Sequence, residues 1–493
     1  MSETTLAWPL EHAARVHGDR PALIDDERTL TYAELHDRVR RLGGAFARLD
    51  LPRGASIGVL AGNSAAHLEC WLAIPAYGRV INDLNHRLAT AELAFMIDDS
   101  ATRALIVDDA RLEVGRELKE RCPSLRRLIH TSELPSGEPA DPPDLPGETL
   151  AAISYTGGTT GRPKGVMLSH ANLVVNAKHF MYTDALRPSD RYLHAGPLFH
   201  VADSTMVHCV TWAGGAHVML ERFDVARLVD AVERHRVTVL VLVPTMIQML
   251  LDHLAEHPAG LSSVRLLHYA AAPIAPALQR RMMETLRCDF LQGYGMTEAA
   301  PGLTVLTPEE HRRGEHLGSV GAPIPGVQLE VDAPPGEIGE GRARGPNIML
   351  GYWNRPEATH EVLDAAGWYR TGDAGYLKDG RLYLVDRLRD MIISGGENVY
   401  SIEVERAIAS FPGVQEVAVI GVPDERWGER VHAIVVGEGL DPDAIVAHCR
   451  TQIGGYKVPR SFELRTEPLP KSGAGKVLKA QLRAASAAGS RSP

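Results

Sequence analysis

The chain has 493 residues, of which 44% are hydrophobic and 23% charged, with 46 glycines and 32 prolines. Those proportions exclude a low-complexity or collagen-like polypeptide and leave material for two or three folding units. A formal net charge of −10 disfavours nucleic acid or an anionic membrane surface as partner, because the global field repels polyanions, while small phosphates held by local loops stay admissible.

The five cysteines, Cys70, Cys122, Cys209, Cys288 and Cys449, are odd in number and widely spaced. They read as reduced thiols of a cytoplasmic protein rather than a disulfide framework. The first twenty residues lack a basic stretch followed by an apolar one, so no secretory signal is expected. The longest apolar run, Val237 to Leu251, is broken by Pro244 and Gln248 and is too short to span a bilayer.

Along the chain, β-branched runs alternate with amphipathic stretches, the pattern of helices packed on sheets. Ala104 to Asp108 reads as a buried strand, Val225 to His235 as a helix, Val237 to Val243 as a strand and Thr245 to Leu254 as the next helix. From Gly318 to Gly380 the sequence turns Gly/Pro-rich, as expected of a smaller β region with hairpins. Beyond residue 386 a compact unit of about 100 residues follows. Its expected elements are a helix Ile402–Ser410, strands Val414–Val422 and Val431–Val436, and a helix Pro442–Ile453. The small, polar segment 484–493 reads as a frayed tail.

Five segments carry chemistry. Tyr155 to Gly165 holds four glycines, three threonines and a lysine in eleven residues, expected between strands Leu150–Ser154 and Val166–Leu168. Glycines let backbone N–H groups face an anion, and hydroxyls and an ammonium add donors, so the segment reads as a phosphate cradle. It is not a P-loop, because Pro163 precedes Lys164 and a strand follows it. In Gln292 to Glu298, a tyrosine ring between glycines can face a planar base, and the carboxylate of Glu298 suits a hard cation. Tyr369 to Asp373, with Arg387 shortly after, places an Asp in a turn where it can accept ribose hydroxyls beside a cationic donor. Ile393 to Asn398 and Pro470 to Lys476 are glycine-rich, and the latter can deliver a lysine to developing negative charge.

In this order and spacing the five segments, together with Leu30-Thr31-Tyr32-Ala33-Glu34-Leu35, resemble the adenylate-forming superfamily of acyl-CoA synthetases, nonribosomal adenylation domains and luciferases. The resemblance spans essentially the whole chain. It implies an α/β fold with a large N-terminal domain of stacked sheets and a β-rich subdomain (1–385), a hinge at 386–389 and a small, mobile α+β C-terminal lid (390–493). It also implies ATP, Mg²⁺ and CoA as reactants, with a carboxylic acid activated as its adenylate before transfer to the thiol. Carried over by position, Lys476, Glu298, Thr297 and His200 are catalytic, and Glu298 is the metal ligand. Thr156, Gly157, Gly158, Thr159, Thr160 and Lys164 bind phosphates. Ala271, Ala272 and Tyr294 sandwich adenine, and Asp373 and Arg387 hold ribose. Gly395, Gly396 and Trp427 meet CoA, with Lys457 and Arg460 as further candidates for its nucleotide. Two positions depart from the family pattern: Arg389 occupies a hinge site usually Asp or Lys, and Gly157 stands where a serine is common.

Pro197-Leu198-Phe199-His200-Val201 matches the segment that supplies a ring beside the substrate carboxylate, with His200 the gate. Amino-acid adenylating relatives carry an Asp just after the aromatic; here Asp203 lies four residues on. The expected acyl pocket, Ala202, Ala270, Gly293, Gly295, Ala300 and Pro301, is small, apolar and without a cation, favouring a medium-to-long or bulky hydrophobic acid, with an aryl acid the alternative. No carrier-protein segment follows the lid in this sequence, so free CoA is the expected thiol. A stand-alone ligase that loads a carrier protein is the second enzyme reading, and a nucleotide-binding regulator that lost the chemistry is the non-enzymatic one.

Overall fold

The helix Tyr32–Ala47 begins within the Leu30–Leu35 segment. Thr31 Oγ1 accepts the Glu34 N–H at 3.3 Å and Glu34 Oε2 accepts the Thr31 N–H at 2.7 Å, so each side chain satisfies a donor that a helix start leaves open. The helix Ala65–Ala76 is buried around nearly its whole circumference. An all-round apolar helix must be covered on every side, and its one charge, Glu69, is held by Arg38 through Nε at 2.5 Å and Nη2 at 3.1 Å.

The computed structural model describes the chain except residues 1–2, 26–27, 135–136, 157–162, 389, 395–396, 425, 472–475 and 490–493. Two large sheets dominate. In one, Val80–Asp83, Ser56–Leu60, Ala104–Val107 and Arg127–His130 run parallel, and the antiparallel pair Leu150–Thr156 and Lys164–Ser169 extends its edge. In the other, Pro21–Ile24, Ala216–Met219, Arg191–His194, Val239–Leu242, Leu266–Tyr269 and Asp289–Gly295 are parallel neighbours, and Gly302–Leu306 joins antiparallel. Helices lie between the sheets, and one continuous core joins Ile57 and Ile81 of the first to Tyr192 and Leu266 of the second through Tyr32, Trp71 and Val207. A four-stranded antiparallel sheet built from Gln328–Val331, Gly339–Arg344, Tyr369–Lys378 and Arg381–Arg387 completes the large N-terminal domain.

The small C-terminal domain pairs Glu416–Asp424 with Gly428–Val436 along their whole length, with Ser401–Ala409 and Pro442–Arg450 packed on the sheet. The two domains share a polar contact. Asp386, on the last strand of the four-stranded sheet, accepts the backbone N–H of Ser401, and Lys479 bonds Ser401 Oγ at 2.5 Å and Glu405 at 2.7 Å. Among the described residues no helix is long and apolar enough to cross a membrane.

Four sequence expectations change. Tyr155, Thr156 and Lys164 belong to strands, with Thr156 opposite Lys164, because the β-formers continue the pairing up to the glycines. Gly293, Tyr294 and Gly295 likewise sit within a strand, paired to Gly302–Leu306. Asp373 also lies in a strand, opposite Arg387, and the turn character is confined to Gly372 at φ +71°. The tail is helical to Gly489: alanine-rich sequence favours helix, and Leu482 anchors it in a core with Ile420 and Ile434.

Candidate active site

Parallel strands present their carboxyl ends along one edge, where crevices for ligands form. Three groups of expected site residues leave the nine-stranded sheet there: Phe199 and His200 after Arg191–His194, Ala270 to Ala272 after Leu266–Tyr269, and Thr297 with Glu298 after Asp289–Gly295. Ala271 holds φ +72°, an uncommon conformation for a residue with a Cβ and one that concentrates at functional sites. The Thr297–Ala299 turn is pinned by Asn347, whose Nδ2 donates to Ala299 O at 2.8 Å and Gly302 O at 2.6 Å.

The residues expected at ribose and adenine converge. Tyr294 Oη donates to Asp373 Oδ2 at 2.7 Å, and Arg387 Nε stands 3.4 Å from Asp373 Oδ1. Burial and the Asp373 carboxylate push the Tyr294 phenol well above its ordinary pKa, which keeps it a donor. A second cluster joins Lys164 to Glu298 through Tyr352, which the sequence reading missed. Tyr352 Oη donates to Glu298 Oε1 at 2.8 Å, and the Lys164 ammonium lies 4.9 Å from the centre of the Tyr352 ring. Burial, then Glu298, raises the Tyr352 phenol. The tyrosine sits in Gly351–Tyr352, a strand that pairs with Lys164–Ser169, and no local motif marks it.

At the acyl end, His86 packs edge-on to Phe199 with ring centres 5.1 Å apart, and the Arg87 guanidinium lies 5.7 Å from the Phe199 ring. Arg87 is thus a cation beside the Phe199 ring, while none of the six positions expected to line the acyl pocket is itself cationic. His200 has a pKa lowered to about 4 by burial, then by the charges of Lys476 and Arg87, so it is a neutral imidazole near pH 7. That Coulomb effect places the Lys476 ammonium of the small domain within electrical reach of the strand-end crevice. Gly295 faces the 300–302 loop so closely that a Cβ there would stand 1.7 Å from Pro301 O, and a Cβ on Gly293 would stand 2.5 Å from His268 Nε2. Ala300 is buried, while Ala202, Ala270 and Pro301 are partly exposed.

Asp203 is committed elsewhere. Its Oδ1 accepts from Tyr192 Oη at 2.6 Å and its Oδ2 from His194 Nδ1 at 2.8 Å, and the chain continues from His194 to His217 at 2.9 Å and on to Thr211 at 3.0 Å. A buried carboxylate so held is not available to a substrate ammonium. Replacing Asp203 with Ala should orphan two buried donors and cost about 3–5 kcal/mol, read as a lower denaturant midpoint. Unchanged stability with altered substrate choice would instead restore the amino-acid reading.

Gly157, Gly158, Thr159, Thr160, Arg389, Gly395 and Gly396 lie outside the described residues. Trp427 is half-buried on the small domain, with the Arg460 guanidinium 4.0 Å and that of Arg426 4.9 Å from its ring. Lys457 is tied to Glu403 at 2.7 Å. No cluster of three or more His, Cys, Asp or Glu side chains suited to a metal occurs among the described residues. Glu298 fits Mg²⁺ nonetheless, since that ion is commonly held by one or two carboxylates together with substrate phosphates and water, and one Glu298 oxygen is left over from the Tyr352 bond.

The AMP-binding enzyme family matches residues 10–353, and the AMP-binding enzyme C-terminal domain matches residues 403–476. A feruloyl-CoA synthase from Amycolatopsis sp is 41% identical over 97% of this chain and 98% of its own length. A 3-[(3aS,4S,7aS)-7a-methyl-1,5-dioxo-octahydro-1H-inden-4-yl]propanoyl:CoA ligase from Rhodococcus jostii is 35% identical over 97% and 98%. The o-succinylbenzoate CoA synthetase of Bacillus subtilis, solved with its acyl-adenylate intermediate, superposes with a TM-score of 0.87 at 30% identity, covering 96% of this chain and 97% of that one. The chain belongs to the AMP-binding enzyme family, within its AMP-forming acid–CoA ligases, enzymes that use ATP, Mg²⁺ and CoA.

Proposed function

We propose that the chain activates a bulky hydrophobic acid, with arylacrylic acids its best class, as the acyl adenylate and passes the acyl group to CoA. The observation that carries this reading is the crevice itself. Ala202 and Ala270, both partly exposed, follow the strands Arg191–His194 and Leu266–Tyr269 at the sheet edge that carries Phe199, and the Lys476 charge reaches the neutral His200 there. The relatives named for feruloyl-CoA and for a bicyclic propanoyl-CoA support an acid of that bulk.

In the first half-reaction a carboxylate oxygen attacks the α-phosphorus of ATP and the bond to the bridging oxygen breaks, releasing pyrophosphate. Tyr294, Ala271 and Ala272 hold adenine, Asp373 and Arg387 the ribose, and Thr156, Gly157, Gly158, Thr159, Thr160 and Lys164 the phosphates. Thr297 meets the α-phosphate and Lys476 stabilises the charge that builds there. Mg²⁺, held by Glu298, neutralises phosphate charge when bound. Neutral His200 borders the carboxylate without adding a second counter-charge. The small domain, hinged at 386–389 with Arg389 the pivot, then turns from residue 390 onward. The CoA thiol enters past Gly395 and Gly396, with its nucleotide near Trp427, attacks the adenylate carbonyl and expels AMP. A turn of this kind can limit turnover.

The test is incubation of the purified protein with ATP, Mg²⁺ and a panel of aryl, arylacrylic and fatty acids, with and without CoA, following pyrophosphate, adenylate and thioester. Arylacryloyl-CoA formed fastest, and only with CoA present, is the expected result. Adenylate that accumulates and is not passed to CoA would point to a carrier protein as acceptor, and faster turnover of fatty acids would overturn the substrate class.

A further inference from the structure

A side chain from the first large sheet holds the segment of the second that carries Phe199 and His200. Asn63 follows the strand Ser56–Leu60 and is buried. Its Nδ2 donates to His194 O at 3.1 Å and to Gly196 O at 2.6 Å, and its Oδ1 accepts from Leu198 N at 2.9 Å. Carbonyls only accept and a backbone N–H only donates, so one orientation of the amide alone meets all three groups. The bonds fall on the turn between the strand Arg191–His194 and the helix Val201–Ala213. Residues 195–200 belong to neither element, so their backbone groups need partners from elsewhere.

Asn63 is itself held on both sides. Gly62 N donates to Asp108 Oδ2 at 2.8 Å and Gly62 O accepts from His67 Nδ1 at 3.1 Å. Ser64 caps the helix Ala65–Ala76 by accepting the His67 N–H at 3.2 Å. The same loop reaches Phe199 a second time, because Ala61 O accepts at 3.2 Å from Nδ1 of His86, the ring that packs edge-on against Phe199. The turn is therefore fixed by three backbone hydrogen bonds and one ring contact, all from a loop that no motif singles out; Asn63 and Leu198 lie 135 positions apart.

We propose that Asn63 is a positioning residue for adenylate formation: it fixes the turn that aims Phe199 and His200 at the carboxylate of the incoming acid, and does not itself touch a reactant. The inference rests on the proposed place of Phe199 and His200 beside that carboxylate. A misplacement of about 1 Å at a reacting centre can cost about 100-fold in rate, so an amide that removes the freedom of this turn acts on the chemistry from a distance.

The experiment compares the native full-length protein with Asn63→Ala in pyrophosphate release, using the acid of the aryl, arylacrylic and fatty panel that the native enzyme turns over fastest. In the variant, kcat/KM for the acid is expected to fall about tenfold to a hundredfold, while KM for ATP stays within about twofold because the nucleotide is held by other segments. His200, titrated by NMR without substrates, should move up from about 4 towards 6.5 as the loosened turn admits water to the ring. Combining Asn63→Ala with His200→Ala should cost less than the product of the two single losses, since both act through one group. An unchanged kcat/KM for the acid, an equal loss towards ATP, an unmoved His200 or losses that multiply would each overturn the proposal and leave the ligase reading in place. No turnover of any acid by the native enzyme removes the reading on which it rests, and the His200 titration then still decides whether Asn63 holds the turn. Should Asn63→Ala fail to fold, Asn63→Ser, whose hydroxyl keeps one bond to the turn, is measured in the same way with a smaller loss expected. A native kcat/KM together with a native His200 titration in that variant counts against the proposal.

Discussion

Lys476→Ala is expected to slow adenylate formation by about 10²–10³-fold, the usual loss when one preorganised donor to a developing charge is removed. Thioester formation from a supplied acyl adenylate should stay within a few-fold of the native rate. The asymmetry follows from where the lysine acts. Its charge is registered at His200, at the crevice proposed to bring the carboxylate to the α-phosphate, and it belongs to the domain proposed to turn away before the thiol arrives. His200 supplies an independent readout. Burial is the larger cause of its lowered pKa and Lys476 the next, so removing the ammonium should raise the imidazole pKa part of the way back towards 6.5, visible as a shifted NMR titration. Equal loss of both half-reactions, or an unmoved His200, would contradict the assignment.

The same histidine gives stability a pH dependence. Its folded pKa of about 4 lies below the ordinary 6.5, so the unfolded chain binds the proton more readily. The stabilisation from a neutral His200 is present above about pH 6.5 and is lost as the pH falls towards 4.

How much of this could be read from sequence depends on how local each feature is. The helix Val225–His235 and the strand–helix order around Pro244 follow from spacings of a few residues, and the structure reproduces them. The convergence of Tyr294 with Asp373 was legible only through resemblance, since 79 positions separate them. Lys164 with Tyr352, and Asn63 with Leu198, were not legible at all. Neither pair has a spacing that periodicity reports, and Tyr352, Asn63 and Leu198 each read alone as an ordinary core aromatic, loop amide or buried aliphatic residue. Asp203 shows the opposite limit: its place after Phe199 invites a ligand role, but Tyr192 and His194, close in sequence, already claim both its oxygens. Thr156 and Lys164 were assigned to a loop because glycines between them end the propensity signal, while the pairing of their strands carries the ladder on to them.

Glu298→Gln separates charge from shape at the proposed metal position. A glutamine oxygen can still accept the Tyr352 hydroxyl, and the backbone bond from Met349 N to residue 298 O at 2.8 Å is untouched, so folding stability should move by less than about 0.5 kcal/mol. What disappears is the anionic oxygen. Adenylate formation is expected to fall by about 10²–10³-fold, and the Mg²⁺ concentration for half-maximal rate to rise, because a neutral amide is a poorer ligand for a hard cation than a carboxylate. Tyr352→Phe is the control: it frees the carboxylate from its hydrogen bond and keeps its charge, so its Mg²⁺ requirement should stay near that of the native enzyme. A Glu298→Gln enzyme that is slow at an unchanged Mg²⁺ requirement would show that the negative charge of Glu298 acts other than by binding the metal, which would then have to be held by phosphates and other donors.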